Sequence, residues 1–75
     1  MNVSREEIER IKENYPVGTR VVMNHCADIY LPIKTGVKGT VCVVDDLGTI
    51  HVDWDNGRKL GVILGEDSIS IIDEN

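Results

Sequence analysis

The chain contains no phenylalanine, and its aromatic residues are limited to Tyr15, Tyr30 and Trp54. A core drawn from 75 residues with so little ring volume has to be filled by aliphatic side chains. Cations are also scarce: eight Lys and Arg stand against thirteen Asp and Glu, for a net charge of −5. A nucleic-acid binder ordinarily presents a basic face that neutralises phosphates. A few scattered cations make no such face, so neither nucleic acid nor an anionic membrane surface is an expected partner. Long apolar runs are missing as well, and nothing approaches the ~20 residues of a membrane span. The opening Met1-Asn2-Val3-Ser4-Arg5-Glu6-Glu7 lacks the apolar core of a signal peptide, so the expected location is cytoplasmic. Cys26 and Cys42 are the two cysteines, and a small protein in a reducing compartment keeps them as thiols.

Valine and isoleucine fill the gap left by the aromatics. They supply nineteen residues, and side chains branched at Cβ favour strands over helices. A chain of this size buries only about 60% of the surface exposed on unfolding, so oligomerisation would help its core. Residues 1–75 read as one domain, with a helix over 4–15 followed by β-structure over 19–72. Ser4-Arg5-Glu6-Glu7 has the form of a capping box, and Val3 with Ile8 that of a hydrophobic staple. Ile8, Ile11 and Tyr15 then recur at helical spacing. Pro16 ends the helix, and Tyr15-Pro16-Val17-Gly18 suits a type I turn. Strands are expected over 19–24, 38–44, 49–54, 59–64 and 68–72, with turns at 45–48 and 65–67. Residues 25–36 have no clear period and form a long excursion loop, a kind of segment that often carries function.

The stretch from Gly48 to Gly57 fixes a hairpin by alternating apolar and polar residues and ending in Asn56-Gly57. A four-residue loop at 45–48 would pair Val43 with Ile50, Cys42 with His51, Val41 with Val52 and Gly39 with Trp54. One face then collects Val41, Val43, Ile50, Val52 and Trp54, with Gly39 leaving room for the indole. After Trp54, two registers compete. A two-residue Asn-Gly loop would put Leu60 and Val62 on the polar face. A three-residue loop, with Gly57 left-handed in a bulge, sets Leu60 against Val52, Val62 against Ile50 and Lys59 against Asp53. One residue of slip inverts every side chain, so burial selects the three-residue loop. Arg58 comes opposite Trp54, within range of a cation–π contact.

The same register places Cys42, His51 and Asp53 together, which resembles a nucleophile, base and orienting carboxylate. They lie on an open strand surface with no oxyanion donors, and a triad is defined by geometry rather than residue type. A solvated sheet face is the expected reading. His25, Cys26, Cys42 and His51 are zinc-ligand types, but their spacing matches no common zinc module. No catalytic residue, metal or cofactor is expected. Trp54 is either a core residue or a ligand-stacking platform.

Five short strands, one long loop after the first and a leading helix match a mainly β fold: a five-stranded, partly open SH3-like barrel with one N-terminal α-helix. The words Pro16-Val17-Gly18-Thr19-Arg20-Val21, Gly36-Val37-Lys38-Gly39-Thr40-Val41, the run from Asp45 to Gly57, and Gly65-Glu66-Asp67 resemble an uncharacterised family of small proteins. That family is a domain of unknown function common in Firmicutes and in their phages and mobile elements. More distantly, Trp54-Asp55-Asn56-Gly57 is similar to the end of SH3-like modules in Mind bomb and Herc ubiquitin ligases, which bind protein partners. The first resemblance implies a fold and a genomic setting without an activity.

The expected function is that of a non-enzymatic interaction module. It would bind a protein partner, or form a homo-oligomer, through loop 25–36 and a sheet edge. Ile29, Tyr30, Leu31 and Ile33 carry this reading, because four large apolar residues in one loop exceed what solvation explains. They either close the barrel mouth or meet a partner, and Trp54 and Arg58 stand beside them as candidate contacts. The alternative is a phage or mobile-element accessory or counter-defence protein that holds a small ligand at an oligomer interface.

Overall fold

The computed structural model describes residues 4–73. Helix α1 spans Arg5–Asn14, and its first turn is capped by the Ser4 hydroxyl, which accepts from the Glu7 amide at 3.2 Å. The Tyr15 amide closes the other end on the Ile11 carbonyl. The proposed Val3 half of the staple lies outside the described residues. No residue of α1 is fully buried, but Ile11, with Tyr15 just beyond, packs against the core. Lys12 reaches Asp46 at 3.0 Å, an exposed pair worth ~0–1 kcal/mol.

Strands β1 (Arg20–His25), β2 (Lys38–Val44), β3 (Ile50–Trp54), β4 (Lys59–Val62) and β5 (Ser68–Ile71) form one sheet in the order β4-β3-β2-β1-β5. Every neighbouring pair is antiparallel. The sheet is open: among the described residues no ladder joins β4 to β5, and the turn between them holds only a single bridge from Leu64 to Asp67. Each expected strand is present, with small shifts at the ends. His25 belongs to β1 rather than to the loop, and β4 stops at Val62, leaving Ile63 and Leu64 outside it.

The turn after the helix is displaced by one residue from its expected position. Thr19 donates to the Pro16 carbonyl at 3.1 Å, so the turn runs from Pro16 to Thr19. Gly18 sits third with φ of 93°, which is the type II arrangement. Proline at the first position rather than the second is compatible, because the positive φ falls on Gly18 and not on Val17.

The hairpin β3–β4 has the burial-selected register, with Ile50 opposite Val62, Val52 opposite Leu60 and Asp53 opposite Lys59. The Trp54 amide donates to the Arg58 carbonyl, Gly57 donates back to Trp54, and Gly57 has φ of 90°. That is the three-residue loop.

The β2–β3 pairing requires a correction. Gly39 faces Trp54 and Val41 faces Val52 as expected, but the register then slips so that Val43 faces His51 and Val44 faces Ile50. Cys42 is the extra residue of a β-bulge. The cause lies in the turn: Asp45 donates to Thr49 and Gly48 donates to Asp45, making a three-residue loop over 46–48 rather than four residues. Val44 is therefore buried and Val43 half-exposed, reversing their expected roles.

The core consists of Val21, Met23, Ile33, Val41, Val44, Ile50, Val52, Trp54 and Val62. Eight come from strands β1 to β4, and Ile33 reaches in from the long loop. The indole N–H, which would otherwise be stranded in this apolar setting, donates to the Leu60 carbonyl at 3.2 Å.

Candidate functional site

The loop between β1 and β2 is fastened at five places. At its root, Met23 donates to the Val37 carbonyl and accepts from Gly36, which extends the β1–β2 pairing past the ladder. Thr35 adds a hydroxyl bond to the Asn24 carbonyl at 2.8 Å. Further out, Asp67 bridges two segments: one oxygen accepts from the Ala27 amide at 2.7 Å and the other from the Ile63 amide at 3.0 Å. Asp28 makes an Asx turn, accepting from Tyr30 at 2.8 Å and Leu31 at 3.2 Å. These two main-chain bonds, with help from the Arg58 charge, hold its carboxyl below the usual carboxylate range. Arg58 then donates to the carbonyls of Leu31 at 2.6 Å and Pro32 at 3.2 Å.

The outcome is a tethered loop with a bare apolar tip. Ile29 is 82% exposed, Tyr30 86% and Leu31 67%, whereas Ile33 is 1% exposed. The four apolar residues named together from the sequence therefore divide, and Ile33 is not a contact residue but a core plug. Trp54, at 3% exposure, is a core residue and offers no stacking platform. Arg58 does stand opposite Trp54 in the hairpin, and its guanidinium donates to the loop carbonyls.

Sequence reasoning missed Asp28 and Asp67. The first carries a local signal, since Asp followed two residues later by a turn amide is a standard Asx arrangement. Asp67 acts across 40 residues, and no local pattern announces such a bond.

Cys42, His51 and Asp53 line one groove, but the His51 ring is bonded to Asp45. His51 Nε2 lies 2.8 Å from Asp45, whose other oxygen accepts from Leu47 and Thr49. The His51 bond is the main reason the Asp45 carboxyl is held low. Beside Asp53, the Cys42 thiol is pushed up: a hydrogen bond to that carboxylate, burial and the negative charge all favour the neutral form. Iodoacetamide alkylation of Cys42 in a Cys26→Ser background should thus run slower at neutral pH than that of a free thiol of pKa ~8.5. A rate profile showing thiolate at pH 7 would contradict this. His25 and Cys26 sit at the end of β1 and the start of the loop, and both cysteines are free.

Arg20 holds Asp55 with two bonds of 2.9 and 2.7 Å and also reaches Thr40, which ties β1 to the β3–β4 turn. That pairing keeps the Asp55 carboxyl low and reads as structural. No helix of the described residues is long and apolar enough to cross a membrane. The family model of a domain of unknown function, DUF4314, matches residues 4–72. No curated protein matches the chain.

Proposed function

The chain belongs to the DUF4314 family, a domain of unknown function, and from that premise we propose that it is a non-enzymatic interaction module built on an open SH3-like sheet. The SH3-like reading is supported by the strand order β4-β3-β2-β1-β5, with a long loop after the first strand and a short turn before the last. The protein engages a partner through the tip of that loop. One observation carries the reading: Ile29, Tyr30 and Leu31 stand in solvent, and the Tyr30 and Leu31 backbone is bonded to Asp28 and Arg58. A loop free to collapse would cover such side chains. Fixing them outward leaves apolar surface in water and lowers the ordering cost when a partner arrives.

The double substitution Tyr30→Ser with Leu31→Ser tests this. Exposed positions of this kind change stability by ~0.5 kcal/mol or less. The variant should therefore melt like the parent, yet lose the protein partner that the parent retains in affinity capture from host lysate. Unchanged capture, or a fall in stability comparable with that of a core truncation, would overturn the proposal.

A further inference from the structure

The outer edge of β4 is one of the two margins of the sheet. Its free groups follow from the register. Trp54 and Arg58 form a hydrogen-bonded pair, and such pairs recur at every second residue of an antiparallel ladder. Val52–Leu60 and Ile50–Val62 fall in the same class. The main-chain groups of Lys59 and Gly61 are one residue out of phase and point away from β3. Among the described residues, no hydrogen bond engages them. The next outward amide, that of Ile63, is already bonded to Asp67. Gly61 has no side chain with which to shield the edge.

A groove of about 280 Å³ lies against this edge, walled on its far side by Cys26, Ala27 and Asp28 of the long loop. Leu60 and Ile63 give it apolar surface, and its ionisable carboxylates are Asp28, Glu66 and Asp67. Both oxygens of Asp67 are bonded within the fold, whereas Asp28 uses only Oδ1 for the loop and Glu66 is exposed. Of the nearby cations, Lys59 is directed to Asp53 at 3.6 Å. Arg58, whose charge bears on Asp28, donates to the Leu31 and Pro32 carbonyls, which leaves Glu66 as the carboxylate most open to an incoming cation.

We propose that the β4 edge and this groove take up an extended cationic segment of a protein partner as an added strand, paired to the main chain of Lys59 and Gly61 with its basic side chains against Glu66 and Asp28. The inference rests on the interaction-module reading and gives it a binding mode. Main-chain pairing provides affinity in strand addition, and alternate side chains provide specificity. Charge selects the occupant. A second copy would bring the same carboxylates, and a net charge of −5, against this edge. Short edge strands with a lysine are guarded against indiscriminate pairing, so a matched partner is required.

The probe is a fluorescein-labelled peptide of alternating Lys and Val, followed by anisotropy and by amide shifts of the ¹⁵N-labelled protein. Lys59→Pro removes one outward N–H without breaking a ladder bond, at the start of an edge strand where proline is tolerated. Lys59→Thr is the control that retains the N–H and loses only the exposed pair with Asp53. Saturable binding is expected, with shifts at Lys59 and Gly61 and an affinity about tenfold weaker for Lys59→Pro but not for Lys59→Thr. Glu66→Lys should weaken binding several-fold, and a Glu–Val peptide should not saturate. Methylating alternate amides of the Lys–Val peptide leaves the protein untouched and should also abolish binding, which covers the case of a misfolded Lys59→Pro.

Absent binding, equal binding of the Glu–Val or methylated peptide, or shifts confined to other residues would overturn the proposal. So would a dimer present without peptide and dispersed by Lys59→Pro. Should the edge fail while Tyr30→Ser with Leu31→Ser still abolishes partner capture, the module reading stands alone. Should the peptide bind as expected while capture ignores the tip substitutions, the apolar tip fails and the edge remains.

Discussion

Replacing Ile33 with alanine is expected to destabilise the protein by about 2–5 kcal/mol, the range for truncating a fully buried aliphatic side chain. Ile33 is 1% exposed and belongs to the core cluster, although it is carried by a loop rather than a strand. A domain of this length has a total stability of roughly 4–11 kcal/mol, so the loss is a large fraction of the whole. The residue lies only two positions from Leu31, where serine should cost almost nothing. Such a contrast within one loop separates its two tasks. The inner part closes the core, and the outer part stands in solvent. Urea unfolding followed by the fluorescence of Trp54, the sole tryptophan, measures both effects on one scale. An Ile33→Ala variant as stable as the parent would mean that the loop does not plug the sheet. The tip would then lack its anchor as well.

That division was only half legible in the sequence. Four large apolar residues between His25 and Gly36 announced a loop with more than solvation to do, but an irregular segment has no period from which to read facing. Strands gave far more. In the β3–β4 hairpin, alternation and the Asn56-Gly57 signal left two registers, and burying Leu60 and Val62 chose between them correctly. The same reasoning failed at β2–β3, where Val41-Cys42-Val43-Val44 is apolar throughout and alternation cannot locate an inserted residue. There the turn decided, through Gly48 and the bonds that Asp45 makes to Leu47 and Thr49. Arg58 stands opposite Trp54 as the register predicts, but its bonds to the loop are not announced by the sequence. Its hydrogen bonds go to carbonyls some 26 and 27 residues away in sequence, which local pattern does not reach. The candidate site is made mostly of such long-range bonds, and this is why the apolar tip is legible in the sequence while Asp67 and the geometry of the tether are not.

Gly39→Ala is expected to cost about 1–3 kcal/mol, the range for overpacking a filled core. A Cβ at this position would sit 2.6 Å from Val52 Cγ1, 2.8 Å from Trp54 Cε3 and 3.0 Å from the Asp53 carbonyl oxygen. None of the three gives way easily. Val52 and Trp54 are buried, the indole is bonded to the Leu60 carbonyl, and the Asp53 oxygen belongs to the neighbouring strand. Alanine also restricts the unfolded chain, a gain of about 0.4–1 kcal/mol that offsets only part of the clash. With ~4–8 °C of melting temperature per kcal/mol in a domain this small, the net change is easily read in a thermal scan. Gly61→Ala provides the comparison. Its Cβ would also meet an atom closely, Thr49 Cγ2 at 2.7 Å, but that is the end of a partly exposed side chain able to turn aside. Alanine should therefore be tolerated at 61 and not at 39, even though both glycines lie inside strands. Equal stability of the two variants would show that the indole is not seated over Gly39, and with it would fall the inward face that fixes the register of β2, β3 and β4.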